Sequence, residues 1–211
     1  MHLEDGVLSV TPEGIGLLVA GAAATAAGTW LGLRRLDYER MPQVAMFSAA
    51  FFVASLIHVS FGVTSAHLVL NGLVGLMLGW TAFPAILVGL LLQAVLFGFG
   101  GPATLGINTL VMALPAVGCH WLFRQPVRSR REVVAFAAGF AAGALALLGS
   151  GMLTAGVLVA SHRQFRTVAQ MVFALHLPVA CVEGAITGSV VVFLRKVRPE
   201  LLDAAALAPS R

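Results

Sequence analysis

Seven apolar stretches follow one another along this chain, at about 13–33, 42–62, 66–79, 82–98, 104–123, 132–160 and 168–194. Of the 211 residues, 59% are hydrophobic and only 10% charged. A soluble domain of this size has no interior for so much apolar side chain, whereas a run of about 20 apolar residues crosses the roughly 30 Å hydrocarbon layer of a bilayer. The expectation is an all-α integral membrane protein, a bundle of about seven transmembrane helices in one domain over 1–211. An amino-terminal segment, 1–12, precedes the first helix, and an Ala-rich tail from about 200 should fray. The third and fourth stretches are short and separated by little more than Trp80-Thr81, so they read as a helical hairpin or as a partly re-entrant element. The sixth is long enough to tilt.

Charge tests the count independently. Arg34, Arg35 and Arg40 follow the first stretch, Arg124, Arg128, Arg130 and Arg131 the fifth, and Arg195, Lys196, Arg198 and Arg211 the seventh. With seven spans, these eleven of the thirteen basic residues share one side, and only Arg163 and Arg166 fall on the other. The excess of basic loops marks the cytoplasmic side, which puts the carboxyl terminus inside and the amino terminus outside. The net charge of +4 therefore belongs to topology and does not indicate nucleic acid. Before the first stretch stand Glu4, Asp5 and Glu13 and no Lys or Arg. That is the wrong sign for a secretory signal, so the amino terminus is expected to be retained. Cys119 and Cys181 both lie inside apolar stretches and read as packed thiols. Gly16, Ala20, Ala24 and Gly28, and likewise Ala135, Gly139 and Gly143, recur at four-residue spacing. Such stripes let helices approach closely inside a bundle, or dock another membrane subunit.

Chemistry concentrates in six histidines. Met1-His2 offers the α-amine, the residue-2 amide and the His2 imidazole on one short piece of chain, closing five- and six-membered chelate rings. One further nitrogen completes a square, a geometry suited to Ni(II) and Cu(II). Asp5 and Gly6 supply a turn that brings the segment back over the bundle. His67 is the candidate for the fourth nitrogen. Ser65 is placed to cap a helix that holds His67 in its first turn, with Asn71 one turn on along the same face. The other reading of His67 is a boundary histidine reaching to the interface. His58 is a competing fourth ligand or a partner of the site. His176 and Glu183, seven apart, share one face of the last stretch, either as a relay or as a structural pair tying helices together. Gln93, Asn108 and Gln170 are candidates for the same polar network, while His120 and His162 lie near loops and read as solvated or interfacial. Enzymatic signatures are missing: the sequence holds no HExxH, no GxSG and no GxxxxGK[ST], so any ATP must be used by another chain.

MHLEDGVLS resembles the amino-terminal block of the CbiM/NikM family, the substrate-capture components of energy-coupling factor importers for cobalt and nickel. GVTSAHLVLNGLVGLMLG, LLLQAVLFGFGGPATLGINTLVMALP and HLPVACVEGAITG are similar to its later blocks, in order along nearly the whole chain. Leu3 and Glu4 depart from the family pattern but leave the backbone ligands intact. The resemblance implies that cobalt or nickel, as Co(II) or Ni(II), is transported with no organic cofactor, held by Met1, His2 and His67. It also implies a transmembrane coupling subunit, cytoplasmic ATPase subunits and a small accessory membrane protein as partners, in the inner membrane of a bacterium or archaeon. Two other classes stand beside it. One is a proton-coupled secondary transporter or channel built on His176 and Glu183. The other is a structural membrane subunit whose histidines are incidental.

Overall fold

The computed structural model describes residues 3, 8, 11–61, 64–161 and 166–204. Its helices are α1 (Pro12–Arg34), α2 (Met41–Ala54), α3 (Asn71–Leu78), α4 (Ala82–Phe97), α5 (Leu105–Phe123), α6 (Glu132–Ser161), α7 (Arg166–Val197) and a short α8 (Glu200–Ala204). Between α2 and α3 lies a two-stranded antiparallel hairpin, β1 (His58–Phe61) and β2 (Thr64–His67). Large apolar side chains such as Val19, Val95, Leu122 and Phe193 point outward, as the face of a bundle in hydrocarbon requires.

Among the described residues, five helical stretches are long and apolar enough to cross a membrane: Pro12–Arg34, Asn71–Phe97, Leu105–Phe123, Glu132–Ser161 and Phe173–Val197. Asn71–Phe97 is not one straight crossing. Asn71 lies at Met112, Gly75 at Ala116 and Gly79 at His120, so α3 runs alongside α5 in the same direction. At Gly79 the backbone takes φ +56° and the helix breaks. α4 then runs with α2, Ala85 at Ser48 and Gly89 at Phe51, and its end leads into the loop before α5. The third and fourth stretches therefore form a helical hairpin turning at Trp80-Thr81. At eight residues, α3 is only about 12 Å long and reaches partway through the bilayer.

The expected helices over 42–62 and 66–79 need correction. α2 ends at Ala54 and α3 begins only at Asn71. Among the described residues between them, His58–Phe61 and Thr64–His67 are strand. Extended chain at membrane depth is tolerated only where its polar groups find partners inside the protein. Here the ladder pairs His58 with His67 and Phe61 with Thr64, and Leu68 N–H donates to Ile57 C=O at 3.3 Å.

α1 starts where local chemistry dictates. Thr11 Oγ1 accepts from Gly14 N–H at 3.1 Å, Pro12 sits in the first turn, and Glu13 faces the positive end of the helix dipole. Its packed stripe is Gly14, Gly21, Thr25, Gly28 and Gly32. Gly16, Ala20 and Ala24 of the expected stripe face outward. Both stripes are made of small residues, so composition did not distinguish them. In α6 the expected stripe is internal: Gly139 lies on Gly188, and Gly143 on Thr187 and the Glu183 carbonyl, so α6 and α7 run antiparallel in close contact.

The basic loops gather at one end. Arg35 lies over the Trp80 ring, Gly79 lies against His120, Lys196 pairs with Glu132 at 3.0 Å, and Arg128 donates to Leu202 C=O at 2.9 Å. That last contact and the burial of Leu202 make 200–204 a docked helix where fraying was expected. Cys119 is buried as expected, but Cys181 is exposed on the outer face of α7.

Candidate metal centre

Two buried side chains hold the backbone beside the two positions that the sequence singles out. The first is Asn108, in the opening turns of α5. Leu3 N–H donates to Asn108 Oδ1 at 2.9 Å, and Asn108 Nδ2 donates to Leu3 C=O at 3.0 Å. Leu3 is 3% exposed and Asn108 2%. A side-chain amide carries one acceptor and donors in the spacing of a peptide group, so it satisfies a buried residue's N–H and C=O together. Gly100, with φ +74°, leaves the clamp room: a Cβ there would stand 3.1 Å from Asn108 Nδ2. Leu8 is fully buried, its carbonyl against Gly14. The amino-terminal segment is thus held in the interior at Leu3 and Leu8. Met1 and His2 lie outside the described residues.

The second is Glu183 of α7, 0% exposed. Its carboxylate accepts from Val69 N–H and from Leu70 N–H, the latter 2.9 Å from both oxygens. Leu70 has φ +54° and precedes α3. A helix start leaves several N–H groups without partners and favours negative charge. Glu183, itself buried, supplies both needs. His67 stands two residues before Val69, in β2, opposite His58 in the ladder.

The other predicted residues divide. Ser65 and His67 are both strand residues, so His67 is not in a helical first turn. Apolar residues around a Gly read as a helix boundary, whereas the local pairing is that of a hairpin. Asn71 opens α3 instead of following His67 on a helix. Its Nδ2 donates to Ser150 Oγ at 2.8 Å, Met112 C=O at 3.1 Å and Ala146 C=O at 3.4 Å. It therefore ties α3 to α5 and α6. Gln93 is fully buried in α4, and Gln170 is exposed. His176 is buried with its ring against Gly151. It shares the buried side of α7 with Glu183, as the spacing predicts, but the Glu183 carboxylate binds the 69–70 backbone. His120, expected to be solvated or interfacial, is buried, with Nδ1 3.0 Å from Leu76 C=O. His162 lies outside the described residues. The role of Asn108 went unread; its signal is a lone amide near the start of an otherwise apolar span. Among the described residues no three His, Cys, Asp or Glu side chains converge as a metal site.

Comparison with known proteins places this geometry. A family model described as the cobalt uptake substrate-specific transmembrane region matches residues 2–201. A putative metal transport protein of Haemophilus influenzae is 44% identical, over 96% of this chain and 97% of its own. A fused nickel transport protein, NikMN, of Rhodobacter capsulatus is 31% identical, over 100% of this chain and 67% of its own. A solved structure of a transition metal transporter superposes with a TM-score of 0.77 at 25% identity, over 93% of each chain.

Proposed function

Because the chain belongs to the CbiM family of cobalt uptake substrate-specific transmembrane regions, we propose that it captures Co(II) or Ni(II) with its own amino terminus and His67. The ligands are the Met1 amine, the residue-2 amide, the His2 ring and the His67 ring. The observation that carries this reading is the Asn108 clamp on Leu3. It holds the backbone next to His2 inside a bundle where a free terminus would otherwise lie in solvent. The Glu183 clamp does the same two residues beyond His67. Preorganising both ligand segments lowers the ordering cost of assembling a four-nitrogen site. Amide deprotonation requires a late transition metal, which selects against Mg(II) and Zn(II). Discrimination against Cu(II), favoured by ligand affinity alone, falls to cavity shape and metal supply.

In this reading the protein performs no chemistry of its own. The metal enters from the outer face, opposite the basic loops, in the inner membrane of a bacterium or archaeon. Release inward is driven by a transmembrane coupling subunit and cytoplasmic ATPases, with a small accessory membrane protein alongside. The test is Ni(II) and Co(II) titration of the purified chain in detergent, compared with His2→Ala, His67→Ala and a variant with one alanine inserted after Met1. The insertion keeps every side chain and breaks the chelate rings. All three should lose high-affinity binding, and native-like binding by the insertion variant would falsify the amino-terminal site. Metal displaces protons from the amine, whose ordinary pKa is about 7.7–8.0, and from the amide. Affinity should therefore fall steadily as pH drops from 8 to 6.

A further inference from the structure

All three tryptophans of the chain, Trp30, Trp80 and Trp121, carry an arginine over the ring. Arg34 lies 3.7 Å from the centre of Trp30, Arg124 4.3 Å from that of Trp121 and Arg35 5.7 Å from that of Trp80, each within reach of a cation–π attraction. The three rings stand at one height. Gly79 lies against His120, so Trp80 and Trp121, each the next residue, are level, and a Cβ on Gly32 would meet the Trp80 carbonyl at 2.6 Å. This is the basic end of the bundle. The chain's one tyrosine, Tyr38, follows Arg35 in the same loop. The Trp and Tyr side chains that settle at a membrane interface are therefore all gathered at this end.

Two of the pairs finish exposed apolar stripes. On α1 the exposed residues Ile15, Val19, Ala23, Ala26 and Trp30 follow one another at helical spacing, and on α5 Leu114, Gly118 and Trp121 do the same. Both helices run toward the basic end, so each presents apolar side chains, then an indole, then a guanidinium. A bilayer offers hydrocarbon, interface and phosphate in that order. Side chains on a helix lean toward its start, and Arg34 and Arg124 fold back over rings one turn before them. The ring covers one face of each guanidinium and leaves its N–H edge to grip a phosphate. Charge points the same way. Lys196 pairs with Glu132 and Arg198 with Glu200, each at 3.0 Å. Among the described residues, Arg34, Arg35 and Arg124 pair with no carboxylate, so their charge is left for an anion outside the chain. A soluble acidic partner would meet these arginines but leave the indoles and the stripes behind them uncovered.

We propose that the Arg34–Trp30 and Arg124–Trp121 pairs, with Arg35 on Trp80 at the same level, bind the phosphates of anionic phospholipids in the leaflet at the basic end. The experiment titrates the delipidated full chain in detergent with phosphatidylglycerol or with phosphatidylcholine, which carries the same phosphate at zero net charge, and reads bound lipid by native mass spectrometry. Phosphatidylglycerol should bind more tightly. Arg34→Gln together with Arg124→Gln should weaken it about fivefold for each arginine removed, the scale of one basic residue at a membrane surface. Lys196→Gln together with Arg198→Gln removes the same net charge from paired cations and should leave binding nearly unchanged. Trp30→Leu together with Trp121→Leu keeps every charge but releases the guanidiniums, and should also weaken binding. None of these six side chains is buried, so the substitutions keep the fold. Equal binding of the two lipids overturns the proposal. So does an equal loss in the two charge variants, which would reduce the effect to net charge. Competition by chainless glycerol 3-phosphate at the lipid's own concentration overturns it as well. Native lipid binding by the arginine variant does the same, and if that variant also fails to co-purify with a membrane partner, the arginines belong to a protein carboxylate instead.

Discussion

At the scale of single residues, Asn108 and Glu183 do more than the histidines to make a site possible, because they fix backbone. Asn108→Leu keeps side-chain volume and removes both bonds to Leu3. Each backbone group left unsatisfied in the interior costs about 1–3 kcal/mol. The expected result is a lower thermal midpoint and a weakened metal affinity, read by melting and by Ni(II) titration on the same preparation. Glu183→Leu strands Val69 and Leu70 N–H in the bilayer's interior and should destabilise by a similar amount. Glu183→Gln retains one acceptor oxygen and should recover much of that loss. If Gln proves no better than Leu, the carboxylate is not acting as a backbone acceptor. Glu183 was legible as a buried ionisable group because charge in an apolar run is conspicuous. Its partner was not, because a bond to Val69 and Leu70 depends on where the chain re-enters the bundle, 114 residues away in the case of Val69.

At the scale of elements, the tightest constraint is the α6–α7 pair. A Cβ on Gly143 would stand 2.6 Å from Thr187 Oγ1 and 2.7 Å from the Glu183 carbonyl. Gly143→Val should therefore separate the helices and cost about 1–3 kcal/mol. Gly156→Ala, where nothing lies within 4 Å, should stay within about 0.5 kcal/mol of the native chain. Thermal melts in one detergent compare the two, and equal effects would remove the packing argument. The run-by-run reading placed a helix in each of the seven apolar stretches, because hydropathy reports burial in lipid directly, but not the docked helix Glu200–Ala204. It missed the hairpin, because His58–Phe61 and Thr64–His67 are short, apolar enough to extend the flanking runs, and interrupted by Gly62. The alternation of polar and apolar residues in His58-Val59-Ser60-Phe61 was the available strand signal. The packing stripe of α1 was misjudged for a different reason: a helix with small residues on several sides does not announce which side its neighbours take.

At the scale of the whole molecule, seven helical segments alternate in direction, with α1, α3, α5 and α7 running toward the end where the basic loops collect. This arrangement makes sidedness testable on a single helix. α5 has 19 residues and is about 28 Å long. The exposed residues Ala103 and Gln125 flank it at opposite ends. Gln125 adjoins Arg124 and Arg128, so the distribution of basic residues assigns it to the cytoplasm. In intact cells, an impermeant maleimide should label Ala103→Cys at once and Gln125→Cys only after the membrane is opened. The unsubstituted chain, whose Cys119 and Cys181 lie within α5 and α7, provides the background. Labelling of Gln125→Cys alone from outside would invert the orientation and move the proposed metal face to the cytoplasm, against the proposed capture from outside. Labelling of both from outside would mean that α5 does not cross, and the bundle's alternation would fail with it.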